Sequence, residues 1–429
     1  MSNKPRKRSA VALAFGTTIA LGAGIAGATS PGTAPGTFKG PSTSTDPYVK
    51  PLDAAETNIT SLLTVDDPAP GAGYVVAGTP DGLGAFPDGS GGVTLISNHE
   101  LQGAGSIRSH GFNGAFWSRH TINPGTLAVT GSADLLAGGA PTFVDWGTVT
   151  PRAWARFCSG DLSGPAQLFN TVSGNGYNGK LFFAGEETSG GLALAVDPVA
   201  GDAKVLTDLG QMAWENIVLA DTATSDVTLA IGNNDTGGQA NYFYVGTKNS
   251  SGATKYDKAG LTGGSKFGFV VTGAATDGAF RTAFGKNSPQ PWAPTTAITA
   301  TTAGPIQTAL NGQSAIQMDR TEDGALDPSN PNDYYFVTTG STAKTAQGGK
   351  GGLWKLSFTN RLNPSLVGTL TLLLDCTEGA GPNTAMYMPD NLTIDGSGHI
   401  LIQEDPGGDN YVARIWAYDI PTKRLQPIA

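Results

Sequence analysis

Glycine and proline interrupt this chain more than anything else shapes it: 61 Gly and 27 Pro occur among 429 residues, about one position in five, too many for long helices to survive. Between these breaks the apolar residues come in short bursts bounded by Gly, Asp, Asn, Ser and Thr, which is the pattern of a many-stranded all-β protein. The exception is the N-terminus. Lys4, Arg6, Lys7 and Arg8 precede an apolar, small-residue stretch from Ala10 to Ile25 and an Ala26-Gly27-Ala28 cleavage motif, so residues 1–28 read as an export signal. Residues 29–51, rich in Pro, Gly, Ser and Thr, read as a flexible tether, and 52–429 as one folded domain.

Removing a leader with four cationic and no acidic residues takes the formal charge from −9 to −13. So acidic a protein repels phosphate backbones, which excludes nucleic acid as a simple partner and favours bound cations. Nothing downstream of the leader is long and apolar enough for stable membrane insertion. The expected location is outside the cytoplasm, secreted or in the cell envelope or periplasm. Two cysteines, Cys158 and Cys376, are too few for a disulfide framework, although they could bridge each other.

A repeated cadence organises the folded part. Glu215-Asn216-Ile217-Val218-Leu219 leads to Val227–Ile231, then Asn233-Asn234-Asp235, Gly237-Gly238 and Tyr242–Val245; Asp390-Asn391-Leu392 leads to Ile400–Ile402, Gln403-Glu404-Asp405, Gly407-Gly408 and Ile415–Tyr418. Arg320-Thr321-Glu322-Asp323 heads a third copy. Leu181–Phe183 running into Gly185-Glu186-Glu187, and Val93–Ile96 running into Asn98-His99-Glu100, are fainter ones. Starts 107 and 68 residues apart suit units of roughly 65 residues with one start hidden between Glu215 and Glu322. The expected fold is a β-propeller of six blades with insertions; a sandwich pair or a β-helix would share the same turn chemistry.

Each copy sets an acid or amide just before its first strand or just after its second, positions that converge on one mouth of a propeller channel. Carboxylates about 4 Å apart repel by roughly 4 kcal/mol at an effective dielectric near 20, so they either protonate or hold cations. Oxygen ligands in such number suit Ca²⁺, and the Cys158 thiolate would add a soft ligand for a transition metal. Arg320 stands two residues before Glu322, on the same face of an extended segment, where its planar fork suits phosphate.

Ser97-Asn98-His99-Glu100, Cys158 with its following Ser-Gly turn, Gly185-Glu186-Glu187, Asp319-Arg320-Thr321-Glu322 and Pro389-Asp390-Asn391-Leu392, in this order, resemble the PhoX-type bacterial alkaline phosphatases and their uncharacterised relatives, from about Ala72 to Pro406. The sequence has Arg320-Thr321-Glu322 where that family carries Arg-Pro-Glu, and Trp214 where it carries a His before the acid. The resemblance implies hydrolysis of small phosphate monoesters in a six-bladed propeller whose channel holds Ca²⁺ and Fe³⁺. Glu100, Cys158, Glu187, Glu215, Glu322, Asp390 and Asn391 would be metal ligands, together with Asn234 and Asp235; Arg320 would grip phosphate and act with Glu322 in catalysis. Two other readings stay open on the residues alone: a calcium-stiffened propeller that binds a glycan or protein without chemistry, and a phytase-like or lactonase-like calcium propeller acting on another ester.

Overall fold

The computed structural model describes residues 36–71, 73–103, 105–136, 143–340, 351–378, 386–407 and 412–429; the export signal lies outside them. The short bursts become strands, and the strands pair into four-stranded antiparallel units arranged as the blades of a propeller. Blade 1 comprises Pro80–Pro87, Val93–His99, Phe116–Ile122 and Val129–Asp134. Blade 2 is built from Phe157–Ser163, Leu181–Glu186, Gly191–Asp197 and Asp202–Val205, with the short strand Val144–Asp145 added parallel at its edge. Blade 3 is Trp214–Leu219, Val227–Asn234, Tyr242–Thr247 and Ser265–Val271. Blade 4 is Thr321–Leu326, Asp333–Thr338, Gly352–Ser357 and Gly368–Asp375. Blade 5 is Pro389–Ile394, His399–Glu404, Ile415–Asp419 and Arg424–Pro427.

The described residues thus form five four-stranded blades rather than the six that the repeat spacing asked for. The difference lies between Glu215 and Glu322. Where a hidden start was expected, the chain makes two helices, Asp277–Phe284 and Ala303–Gly312, and one strand, Gln290–Pro294. That strand pairs on one side with the outer strand of blade 3 (Val271 opposite Trp292) and on the other with the outer strand of blade 4 (Gln290 opposite Leu370). It welds the two blades into a nine-stranded sheet. Trp292, buried against Phe269 and Phe358, fills the joint with a large rigid surface.

Successive inner strands pack side by side from blade 1 to blade 5. Between blades 5 and 1, the Asn391 side chain lies close enough to Asp81 to favour its charged form. The packing is tight: a Cβ on Gly82 would lie 2.3 Å from the backbone nitrogen of Gly160 in the next blade, so only glycine lets these two inner strands meet. Part of the segment read as a tether carries structure. Thr37–Lys39 pairs in parallel with Ile59–Ser61. Val129 of blade 1 donates from its backbone to Ser42 Oγ, and Leu52 donates from its backbone to Ile428 beyond blade 5. The chain from Ser42 to Leu52 thus touches both blade 1 and the strand end beyond blade 5.

Candidate metal centre

One irregularity recurs in all five blades. Near the start of every inner strand the register with the second strand slips: between Pro80 and Leu83, Phe157 and Gly160, Trp214 and Asn216, Thr321 and Gly324, and Pro389 and Leu392. Such a bulge re-aims a side chain out of the regular alternation. The re-aimed residues are Asp81, Cys158, Glu215, Glu322 and Asp390, one from each blade.

A second set follows from an equally regular backbone contact. The residue just past each second strand donates its N–H to the carbonyl before the bulge: Glu100 to Thr79, Glu187 to Arg156, Asp235 to Ala213, Thr339 to Arg320 and Asp405 to Met388, at 2.9–3.0 Å. Four of these five residues are acids, set at one end of the channel beside the bulge residues; Thr339 is the exception.

The two sets meet. Ligand atoms of Asp81, Glu100 and Cys158 lie within 4.8 Å of one another, as do those of Cys158, Glu187 and Glu215, and those of Glu215, Glu322 and Asp390. Cys158 and Glu215 are shared, so the three groups form one continuous run across the mouth. Cys158 Sγ donates to Glu100 Oε1 at 2.8 Å and to Asp81 Oδ2 at 3.3 Å. Both cysteines are free thiols, so the expected alternative of a Cys158–Cys376 bridge is not formed; Cys376 sits in the turn after blade 4.

Burial and crowding raise the proton affinity of nearly every member. Desolvation, followed by the charges of Glu322 and Asp390, holds the Glu215 carboxyl well above the usual range. Burial, then Asp390 and Asp235, does the same to Glu322 against the opposing pull of Arg320. Burial, then the charge of Asp81, lifts Asp390. Asp81 is pushed up to about 6 by burial, and Glu187 to about 8 by burial and by its hydrogen bond with Asp235. Burial and then the Glu215 charge lift the Cys158 thiol. The most telling member is Glu215, whose two oxygens are both shut off from water and have no hydrogen-bond partner. A buried carboxylate without donors is costly unless a cation supplies the missing charge. An oxygen-rich set with one thiolate therefore fits hard cations and admits a softer one beside the sulfur.

Of the residues expected at the site, Glu100, Cys158, Glu187, Glu215, Glu322 and Asp390 are brought together. Asp235 is adjacent, its carboxyl beside that of Glu187 and bonded by Arg320 Nε and Nη2 at 2.8 and 3.0 Å. Arg320 Nη2 also lies 3.1 Å from Glu322 Oε1. Asn234 stays out of the cluster: its amide donates to Gln239 Oε1 and its oxygen accepts from Thr236 N–H, which fixes a turn. Asn391 is not among the three ligand groups, although its side chain lies near Asp81.

Sequence reasoning missed Asp81, Arg156 and Asp405. A signal for Asp81 was present, because Pro80-Asp81-Gly82-Leu83 repeats the Pro389-Asp390-Asn391-Leu392 pattern. Arg156 Nη2 bonds Glu187 and lies 3.2 Å from Glu100 Oε1. Behind the mouth, polar side chains tie blade to blade. Asn98 donates to the carbonyls of Cys158 and Ser159, Asn233 to that of Glu322, and Asn216 to Asp323, whose other oxygen accepts from Leu392 N–H.

Three comparisons bear on this arrangement. The family described as Alkaline phosphatase PhoX matches residues 165–417, more than half of the chain. Among solved structures the chain is similar to Pseudomonas fluorescens PhoX in complex with vanadate, a transition state analogue, at 15% identity and a TM-score of 0.54, over 82% of this chain and 79% of that one. It is also aligned with an α-L-arabinofuranosidase of Clostridium thermocellum at 10% identity, over 82% and 93% of the two chains, but with a TM-score of only 0.35. No curated protein matches by sequence.

Proposed function

Since the chain belongs to the PhoX family of alkaline phosphatases, we propose that it hydrolyses small phosphate monoesters at a cation cluster in the propeller mouth. Asp81, Glu100, Cys158, Glu187, Glu215, Glu322 and Asp390 would hold the cations, calcium among the carboxylates and iron beside the Cys158 sulfur. The observation that carries the reading is the buried, partnerless Glu215 carboxylate at the centre of three ligand groups. The fold likeness to a phosphatase crystallised with vanadate supports it. Residues 1–28 would direct export, which matches a requirement for calcium outside the cytoplasm.

Bound cations would supply a water of lowered pKa as nucleophile and would neutralise charge developing on the phosphoryl oxygens. The chain's own contribution is position and charge. Arg320, held by Asp235 and next to Glu322, presents a planar fork at the rim that suits two phosphoryl oxygens at once. Asp235 and the backbone of Thr339 fix the Arg320 side chain and carbonyl, so the guanidinium is aimed before substrate arrives. The bulges aim the ligands in the same way, from rigid strands rather than loops.

The test combines elemental analysis with turnover. Protein from its native compartment is expected to contain calcium and iron and to hydrolyse an aryl phosphate, and a chelator should remove both properties. Glu322→Gln and Arg320→Ala should each lower kcat/KM by about 10²-fold or more while leaving a folded protein. Cation-loaded protein that turns over no phosphate ester would overturn the reading in favour of a binding propeller, and unchanged rates in both variants would remove these residues from the site.

A further inference from the structure

Arg156 and Arg320 occupy equivalent places in blades 2 and 4. Each immediately precedes a bulge, and each accepts through its carbonyl the N–H of the residue just past the second strand, Glu187 in one blade and Thr339 in the other. The corresponding residues in the other blades are Thr79, Ala213 and Met388, which carry no charge. The two guanidiniums also flank one pair of neighbouring carboxyls: Arg156 bonds Glu187, Glu187 lies beside Asp235, and Arg320 bonds Asp235. Both are about a third open to solvent, at 32% and 28%, whereas the Glu215 carboxylate below them is wholly buried. They differ in one respect. Arg320 engages Asp235 through both Nε and Nη2, while Arg156 reaches Glu100 and Glu187 through Nη2 and its Nε has no partner.

A mouth lined by carboxylates repels a phosphate dianion until cations are bound, and even then the approach needs donors on the rim. We propose that Arg156 is a second phosphate-binding residue, which forms with Arg320 a two-armed grip that selects the monoester dianion over a diester. The inference rests on the phosphatase reading above. A terminal monoester phosphate carries two charges and three free oxygens, enough to occupy two forks. A diester carries one charge and two free oxygens, and its second substituent falls where one fork would bind. A planar guanidinium discriminates on that geometry, whereas a lysine ammonium supplies only a point charge.

Cation-loaded protein provides the test, with inorganic phosphate as the binding probe and an aryl phosphate and a bis-aryl phosphate as substrates. Arg156→Ala is expected to weaken phosphate binding and raise KM for the monoester about tenfold or more, with a smaller change in kcat, and to narrow the monoester-to-diester preference by a similar factor. Arg156→Lys should recover part of the binding and little of the preference. Unchanged phosphate affinity and unchanged preference in Arg156→Ala would overturn the proposal. Loss of cations from both variants would overturn it too, because the residue would then serve to hold Glu100 and Glu187. If the unaltered protein turns over neither ester, the phosphatase reading fails, and the phosphate-affinity comparison still decides whether Arg156 binds the anion.

Discussion

Glu186 and Glu215 are equally buried, with no exposed surface on either, and lie in neighbouring blades, yet they solve the problem of a buried charge in opposite ways. Glu186 is satisfied from within. Arg152 engages both of its oxygens at 2.7 and 2.5 Å, and the backbone N–H groups of Ala155 and Leu192 donate at 2.8 and 3.1 Å. Glu215 has no donor at all and faces other acids. Burial alone therefore does not mark a carboxylate as a candidate ligand; the lack of a countercharge from the chain does. The same contrast holds across single peptide bonds. At the ends of the second strands, Glu186, Asn234 and Glu404 bond locally, to Arg152, to Gln239 and to the Trp416 indole, while Glu187, Asp235 and Asp405 follow them beside the bulge residues. A side-chain period of two turns neighbours to opposite faces.

The sharpest way to break the comparison is to remove one carboxylate of each kind. Glu186→Ala leaves the Arg152 charge and two backbone donors without their acceptor, and should cost about 3 kcal/mol of unfolding free energy, the lower end for a buried pair because Arg152 is half exposed. The loss should be the same with and without chelator in urea unfolding. A chelator applied to the unaltered protein should lower stability by about 2.7 kcal/mol relative to calcium at a hundred times its Kd. Glu215→Gln should abolish that difference, because its amide cannot balance a cation's charge. A chelator effect that persists in Glu215→Gln would place the stabilising cation elsewhere.

Asp81→Asn makes a smaller test of the same boundary. Asp81 shares its ligand group with Glu100 and Cys158, at one end of the run rather than in its middle. Its loss should reduce the bound cations by one per chain in elemental analysis and leave those near Glu215 in place. Full loss of cations would show that the run fills only as a unit.

How far this boundary could be read in the sequence follows from the same geometry. The acids at the ends of the second strands were legible because turn chemistry and Gly-Gly pairs mark those ends. The blade count was not, because the 107 residues from Glu215 to Glu322 leave room for a hidden blade start, and only the pairing of Gln290–Pro294 with the outer strands of blades 3 and 4 shows that an insertion fills that interval. Asn234 was read as a ligand since nothing local distinguishes it from Asp235, one residue and half a period away. Asp81 lies in Thr79-Pro80-Asp81-Gly82, a stretch with ordinary turn composition; its Pro-Asp-x-Leu likeness to Pro389–Leu392 is the one signal in the sequence, and the matching bulges of blades 1 and 5 give that likeness its meaning. Arg156 gave no signal, because its partners Glu100 and Glu187 lie 56 and 31 residues away.

The comparison extends to a titratable group that is buried without charge. His120 lies within blade 1, with Nδ1 2.8 Å from Ser132 Oγ and Nε2 3.2 Å from Ser118 Oγ. His99 shares the Ser118 hydroxyl, and Tyr74 packs edge-on against the ring. Hydroxyls satisfy a neutral imidazole but offer no countercharge to a protonated one, and burial lowers the His120 pKa to about 4 from an ordinary 6.5. The sign of the linkage is then fixed. The unfolded chain takes up a proton near pH 6.5 and the folded one only near 4, so the stability that His120 contributes is present above pH 6.5 and is lost as pH falls through that window, by about 1–3 kcal/mol. His120→Gln, which cannot titrate, should flatten this part of the stability curve between pH 6.5 and 4 in cation-free protein. An unchanged slope would mean that the acid sensitivity arises elsewhere, and His120 would then be no counterpart to Glu215.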